Sequence, residues 1–301
     1  MAAARKKNLP LMENSPVWLS IIRLALPMMF SMVAQMVYNM TDTFFIGQTG
    51  DPNMVAGISL TMPLFMVSQG VGNVFGVGAS SYISRMLGAR QSEAAKRTNA
   101  VSFYTTILSG LVITVALLLF RRPILRIIGT SDITFRYADD YFTIILAFTT
   151  MAICCISLSG QIRSEGATAK AMKGTLIGIG LNIVLDPLFI LTFDMGTAGA
   201  AWATVAGQAA SLVYLLLYFR SPDTQLSVHP RDFKPAAAMY AEILKIGLPA
   251  ALSNIVMSLG MALRNRMAAG YGDLVVAVLC IPSPLPTAVL RLSRSSWSAV
   301  C

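Results

Sequence analysis

The chain has 301 residues, of which 55% are hydrophobic and only 12% are charged. Soluble domains carry about 25% charged residues, so this composition, with a mean hydropathy of +0.65, excludes an ordinary soluble domain and indicates a membrane protein. The net charge of +9 does not indicate a nucleic-acid-binding surface, because the basic residues lie between apolar segments and are not clustered on one face.

Seven apolar windows have the length that crosses a bilayer, about 20 residues. They cover 19–46, 54–83, 99–120, 137–160, 175–194, 198–219 and 246–270. The sequence therefore predicts an all-α, polytopic membrane protein. The predicted organisation is a cytoplasmic N-terminal segment 1–18, a six-helix transmembrane bundle 19–219, a cytoplasmic linker 220–245, the first helix of a second bundle 246–278 and an atypical tail 279–301.

Lysine and arginine residues lie mainly in alternate connections between the spans. Most of them fall at 5–7, 85–97, 163–173 and 220–245, whereas the connections around 47–53 and 194–198 hold none. Because cytoplasmic loops carry the excess of Lys and Arg, this asymmetry predicts a multi-pass protein of the plasma (inner) membrane with a cytoplasmic N-terminus. The exceptions are Arg121, Arg122 and Arg126.

One internal repeat relates the first and the last predicted spans. The segment around Pro27 aligns with that around Pro249, 222 residues later, and at the same offset Asp42 aligns with Arg264. Parallel repeats of several spans are typical of secondary transporters, whose substrate sites lie between the repeated units. We therefore expect one six-span unit followed by the first span of a second.

The composition changes after Val278. The remaining segment is rich in Pro, Ser, Arg and Cys and holds no apolar run of 20 residues. We expect a chain that is truncated or frame-shifted after the seventh span.

Polar side chains share one face of the first span. On a helical wheel they fall within an arc of roughly 100°, and they are Ser31, Gln35, Tyr38, Asn39 and Asp42. Four methionines follow an adjacent stripe at intervals of four residues, Met28, Met32, Met36 and Met40. The methionines indicate either helix packing or an adaptable apolar wall for ligands of varied shape.

A second polar group lies in spans five and six. Asn182 and Asp186 are four residues apart and so share a helix face, and Thr204 and Gln208 are related in the same way. Ionisable residues inside a membrane are functional candidates by default. These oxygen-bearing groups, with Asp42, predict a site for a proton or a hard monovalent cation; the alternative is that Asn182 and Asp186 only hydrogen-bond neighbouring helices.

No enzyme site can be assembled from the sequence. The only histidine, His229, lies in a polar loop, and the four cysteines show no metal-ligand spacing. The glycine-rich run 70–78 lacks both a preceding strand and a GK[ST] ending, so it predicts small-residue helix packing. We therefore expect no enzymatic activity, no cofactor and no metal other than Na⁺ at the predicted cation site.

Several motifs in order resemble the multidrug and toxic compound extrusion (MATE) family. They are LP in span one with TDTFFIGQTGD 15 residues on, then IRSEG, NIVLDPLFI and MGTAGAAWATVAGQ. The resemblance implies two six-helix bundles around a central cavity, and export of cationic or amphipathic drugs in exchange for H⁺ or Na⁺. It further implies small-molecule substrates and a bilayer environment, with no nucleic-acid partner.

The resemblance also implies roles for individual residues. Cation binding and coupling would fall to Asp42, Asn182, Asp186 and Thr204, and cavity or gating roles to Pro27, Gln35, Tyr38, Asn39 and Tyr141. Two alternatives stay open. One is a flippase for lipid-linked oligosaccharides from the same superfamily, and the other is a non-transporting membrane fragment that self-associates to complete the missing half.

Overall fold

The computed structural model describes residues 17–48 and 51–270, and within these ranges the chain is helical, without strands. The predicted N-terminal segment before residue 17, part of the repeat at residues 271–273 and the predicted tail 279–301 lie outside the described residues.

Nine α-helices occur in the described part of the chain. They are α1 (Val17–Gln48), α2 (Pro52–Gly88), α3 (Ser92–Leu119), α4 (Arg121–Ile128), α5 (Asp132–Ala147), α6 (Thr149–Ser164), α7 (Thr168–Pro187), α8 (Gly196–Tyr218) and α9 (Ala237–Ala269). A π-helical turn, Leu188–Thr192, continues α7 beyond its proline, and a 3₁₀ turn, Pro230–Asp232, precedes α9.

The helices account for the predicted spans. Six of them are long and apolar enough to cross a membrane, and the pair α5 and α6 adds a seventh if it is counted as one span. The prediction of a helical, multi-pass membrane protein is therefore confirmed. The predicted span over 137–160 corresponds to the pair α5 and α6, which is bent by 53° at the break between the two helices. Phe148 lies between them with φ −111° and ψ 8°, outside the helical region.

The arginines at 121–126 lie on a helix and not in the loop that the sequence suggests. Pro123 falls in the first turn of α4, where a missing N–H costs little, and Gly129 ends the helix with φ 106°, which glycine adopts readily. Arg121 ties α4 to α5, since its Nη1 donates to Thr143 Oγ1 at 2.7 Å and its Nε lies 3.3 Å from Asp139 Oδ1.

Glycines bring the helices into backbone contact. A Cβ at Gly78 would strike the carbonyl oxygen of Ile243, and one at Gly247 would strike that of Val74, so α2 and α9 meet without side chains between them. Gly76 of the run 70–78 lies against α6, since a Cβ at Gly160 would strike the carbonyl oxygen of Gly76. The prediction that this run is a helix-packing segment is confirmed.

Two side-chain hydrogen bonds also fix α9 to α2. Ser258 Oγ donates to the carbonyl oxygen of Pro63 at 2.7 Å, and Asn265 Nδ2 donates to that of Ser59 at 3.4 Å. Helix α1 lies at the edge of the bundle, packs mainly on α7 and exposes large apolar side chains such as Phe30. A space remains between α1 and the rest of the bundle.

The connection between α8 and α9 is held by one carboxylate. Glu165, at the end of α6, accepts a hydrogen bond from Tyr218 Oη at 2.7 Å, from Thr224 Oγ1 at 2.9 Å and from Gln225 N at 3.0 Å. Burial raises the pKa of Glu165, while these hydrogen bonds act in the opposite direction. The carboxylate thus anchors residues 224–225 to the bundle.

Candidate functional site

A cavity of about 780 Å³ opens between α1 and the helices α2 and α5 to α9. Its wall is mostly apolar, with a few polar groups, which is the usual character of a small-molecule site. All five residues of the predicted polar arc line it, namely Ser31, Gln35, Tyr38, Asn39 and Asp42. The helical periodicity read from the sequence therefore places them on the correct face of α1.

The methionine stripe reaches the cavity only in part. Met28, Met32 and Met36 line the wall, whereas Met40 is not part of it and is 44% exposed. Residues four apart on a helix differ by about 40° in direction, so a stripe of four turns progressively away from the face it begins on. Three of the four methionines therefore contribute to the apolar wall of the cavity, and Met40 does not.

A hydrogen-bond network connects α1, α7 and α8 beside the cavity. With its amide oriented to satisfy both ends, Asn182 donates to Asp186 Oδ2 at 2.8 Å and accepts from Thr204 N at 3.0 Å. The hydroxyls of Thr204 and Tyr38 lie 3.4 Å apart. Asn182, Thr204 and Tyr38 line the cavity, whereas Asp186 is fully buried behind them.

Asp42 is the carboxylate on the cavity wall. Its side chain is 6% exposed, and its Oδ1 has no hydrogen-bond partner in the described part of the chain. Tyr38, four residues earlier on α1, meets Thr204 of the network that includes Asp186. A buried carboxylate oxygen without a donor is costly, so this position is suited to accept a proton or contact a small cation.

The two remaining residues of the predicted set differ in position. Tyr141 is 9% exposed and lines the cavity from α5. Pro27 lies inside α1 but does not line the cavity; its carbonyl oxygen accepts a hydrogen bond from Ser31 Oγ at 2.9 Å. Among the described residues, no three His, Cys, Asp or Glu side chains come together as a metal site.

Two arginines line the cavity that were not among the predicted site residues. Arg163 reaches it from the end of α6 and donates through Nε to the carbonyl oxygen of Ser159 at 3.0 Å. Arg264 reaches it from α9. The repeat that aligns Arg264 with Asp42 was the available signal for the second arginine, because equivalent positions of two repeats face a shared cavity.

A model of the MatE family matches residues 27–188, which include Asp42, Asn182 and Asp186. The chain belongs to the MatE family. It is 35% identical over 265 residues to the multidrug export protein MepA of Staphylococcus aureus (strain NCTC 8325 / PS 47), an alignment that covers 88% of this chain and 59% of that relative. The chain thus spans about three fifths of the length of the curated relatives it matches.

Solved structures of the MatE family have the same fold. An inward-facing multidrug resistance MATE family transporter superposes with a TM-score of 0.80 at 32% identity, covering 87% of this chain and 60% of that one. An outward-facing transporter of the same description superposes with a TM-score of 0.82 at 29% identity, covering 98% of this chain and 71% of that one. Fold and family therefore agree with the resemblance read from the motifs.

Proposed function

We propose that this chain is part of a cation-coupled multidrug exporter, in which cationic or amphipathic compounds bind in the cavity and leave in exchange for H⁺ or Na⁺. The observation that carries the proposal is Asp42. It places a buried carboxylate with an unpartnered oxygen on the wall of a mostly apolar cavity of about 780 Å³. The relatives named as multidrug exporters support the same activity.

The coupling ion would bind where the network meets the cavity. Asp42 provides the carboxylate, and Asn182, Asp186 and Thr204 provide oxygen atoms and a second carboxylate nearby. A proton would neutralise one carboxylate, and Na⁺ would be held by the same oxygens. In either case a positively charged drug and the coupling ion compete for Asp42, which is the reciprocal coupling that exchange requires.

The remaining predicted residues have supporting roles in this proposal. Tyr38, Asn39, Gln35 and Tyr141 would shape the drug-contacting wall around the carboxylate. Pro27 lacks the N–H of an ordinary helical residue, so α1 can bend there when the ion binds. The positively charged connections support a plasma-membrane protein with a cytoplasmic N-terminus.

The proposal is tested by drug accumulation in a drug-sensitive bacterial host. Cells that express the chain should accumulate less ethidium than cells that express Asp42→Asn. Asp140→Asn is the matched control, because Asp140 is exposed and does not line the cavity. Equal accumulation with the wild-type chain and Asp42→Asn, with both proteins present in the membrane, contradicts the proposal. Efflux with and without added Na⁺ at fixed pH then assigns the coupling ion.

The lipid-linked oligosaccharide flippase is favoured by one observation, the two arginines Arg163 and Arg264 in the cavity wall, which suit phosphate groups. Asp42 in the same wall would repel such groups. A non-transporting fragment that pairs with a second copy is the other alternative, and a crosslinked homodimer that binds drug would support it.

A further inference from the structure

Arg264 belongs to a face of α9 that turns toward the cavity. Met257, Gly260, Met261 and Arg264 all line it, at the i, i+3, i+4 and i+7 spacing of one helix face. Beside Gly260 the space is open, since no atom would lie within 4 Å of a Cβ placed there. The wall next to Arg264 therefore has room for a ligand.

Arg264 and Asp42 lie at the same end of the cavity. Asn265, next to Arg264, hydrogen-bonds the carbonyl oxygen of Ser59, which is seven residues after the start of α2 at Pro52. Asp42 is six residues before the end of α1 at Gln48. At a rise of 1.5 Å per residue, both levels are roughly 10 Å from the connection between α1 and α2. The two charges therefore lie at similar depths along the cavity, on the helices α1 and α9 that both line it.

Two of the three guanidinium nitrogens of Arg264 lack acceptors among the described residues. Its Nε and Nη2 are buried without a hydrogen-bond partner, and it forms no ion pair with any residue that the structure describes. These two nitrogens form one edge of the guanidinium plane, the edge that matches the two oxygens of a carboxylate. Unsatisfied buried donors on a permanent cation are costly, so an acceptor that enters the cavity would relieve that cost once the flexible side chain turns this edge toward it.

We propose that Arg264 forms an anion subsite in the cavity, which binds the carboxylate of compounds that also carry a positive charge directed toward Asp42. This inference rests on the proposed export function and names the residue that would hold the anionic end of a zwitterionic compound. Asp42 selects the cationic end of the ligand and Arg264 selects its anionic end.

A matched pair of fluorescent dyes tests the subsite. Rhodamine 110 carries a free carboxylate and rhodamine 123 is its methyl ester, so the two differ at the group that Arg264 would bind. Their dissociation constants are measured by fluorescence anisotropy at pH 7 with the full chain in phosphatidylcholine nanodiscs. Arg264→Gln should weaken rhodamine 110 binding at least about tenfold, the effect of losing charge-assisted hydrogen bonds, and leave rhodamine 123 binding unchanged or tighter.

Two variants serve as controls. Arg266→Gln removes the same charge from an exposed position on the same helix that does not line the cavity, and it should bind both dyes like the wild type. Arg264→Lys keeps the charge without the bidentate edge and should give an intermediate loss for rhodamine 110. Equal loss of both dyes in Arg264→Gln, or no loss of either, overturns the anion subsite.

A measurement on the wild-type chain needs no variant. Sodium benzoate, compared with NaCl at equal ionic strength, should displace rhodamine 110 at lower concentration than rhodamine 123, and equal displacement of both dyes overturns the subsite. Only the anion subsite fails if Asp42→Asn abolishes rhodamine 123 binding while Arg264→Gln leaves rhodamine 110 binding unchanged. If neither dye binds the wild-type chain, the proposed function fails together with it.

Discussion

Replacing Glu165 by alanine should release the connection between α8 and α9. The carboxylate accepts hydrogen bonds from Tyr218, Thr224 and the backbone of Gln225, and alanine leaves all three donors without this acceptor. Hydrogen bonds to a charged group contribute about 1.5–3 kcal/mol each. Because the three donors share one partly exposed carboxylate, we expect a local loss of about 2–3 kcal/mol in total. This corresponds to a local opening constant about 30- to 150-fold larger.

Limited trypsin digestion in nanodiscs measures this opening. Arg220, Arg231 and Lys234 lie in the connection, and cleavage there is followed by mass spectrometry. When opening is fast relative to cleavage, the rate follows the population of the open form, so Glu165→Ala should be cut faster by the same factor. Glu93→Ala is the matched control, because its side chain is 72% exposed and its carboxylate pairs with Lys96 on the same helix. Cleavage of Glu165→Ala at the wild-type rate would refute the anchoring role.

Three further outcomes are expected. Gly247→Val should lower the free energy of unfolding by about 1–3 kcal/mol, because the valine side chain would meet the backbone of Val74. Gly260→Val places its side chain in open space and should leave that free energy unchanged. Thermal unfolding in detergent compares the two variants. Since the folded state raises the pKa of Glu165, it binds this proton more tightly than the unfolded chain does. The stability gained from the proton is present below the ordinary glutamate pKa and is lost as the pH rises through the raised value, whereas the hydrogen bonds to the carboxylate persist. The Tm of the wild-type chain should therefore fall relative to Glu165→Gln over that window, and parallel pH profiles would contradict this. Thr204→Val should keep the fold, measured by gel filtration, but weaken rhodamine 123 binding; unchanged binding would exclude a role for the hydroxyl.

The spans could be predicted because hydrophobic length and helix periodicity are local properties. The same holds for the polar arc of α1 and for the pair Asn182 and Asp186, whose four-residue spacing fixes a common face before any tertiary contact forms. The sequence could not show that Tyr38 meets Thr204, 166 residues later. That contact depends on how α1 packs on the helices α7 and α8, and the periodicity within each helix does not encode this packing.

The errors have identifiable physical origins. The bend at Phe148 falls in an apolar stretch with no proline or glycine close to it, so hydropathy alone does not reveal the bend. The helix α4 is short and carries three arginines, so its sequence resembles a charged loop. Pro123 in its first turn and Gly129 at its end are the sequence features that indicate a helix. The sequence shows that Arg264 departs from the repeat, because it aligns with Asp42. Its position on the cavity wall could not be predicted, because it depends on how α9 packs on α2.

The backbone contact between α2 and α9 also limits how the protein can move. Gly247 lies against the main chain of Val74, and Ser258 and Asn265 hydrogen-bond carbonyl oxygens of α2. Sliding α9 along α2 would break these contacts together, so the two helices should travel as one rigid body. Any rearrangement among the described helices would then move α2 and α9 together. Arg264 and the carboxylate of Asp42 would be separated or brought together only by motion of α1.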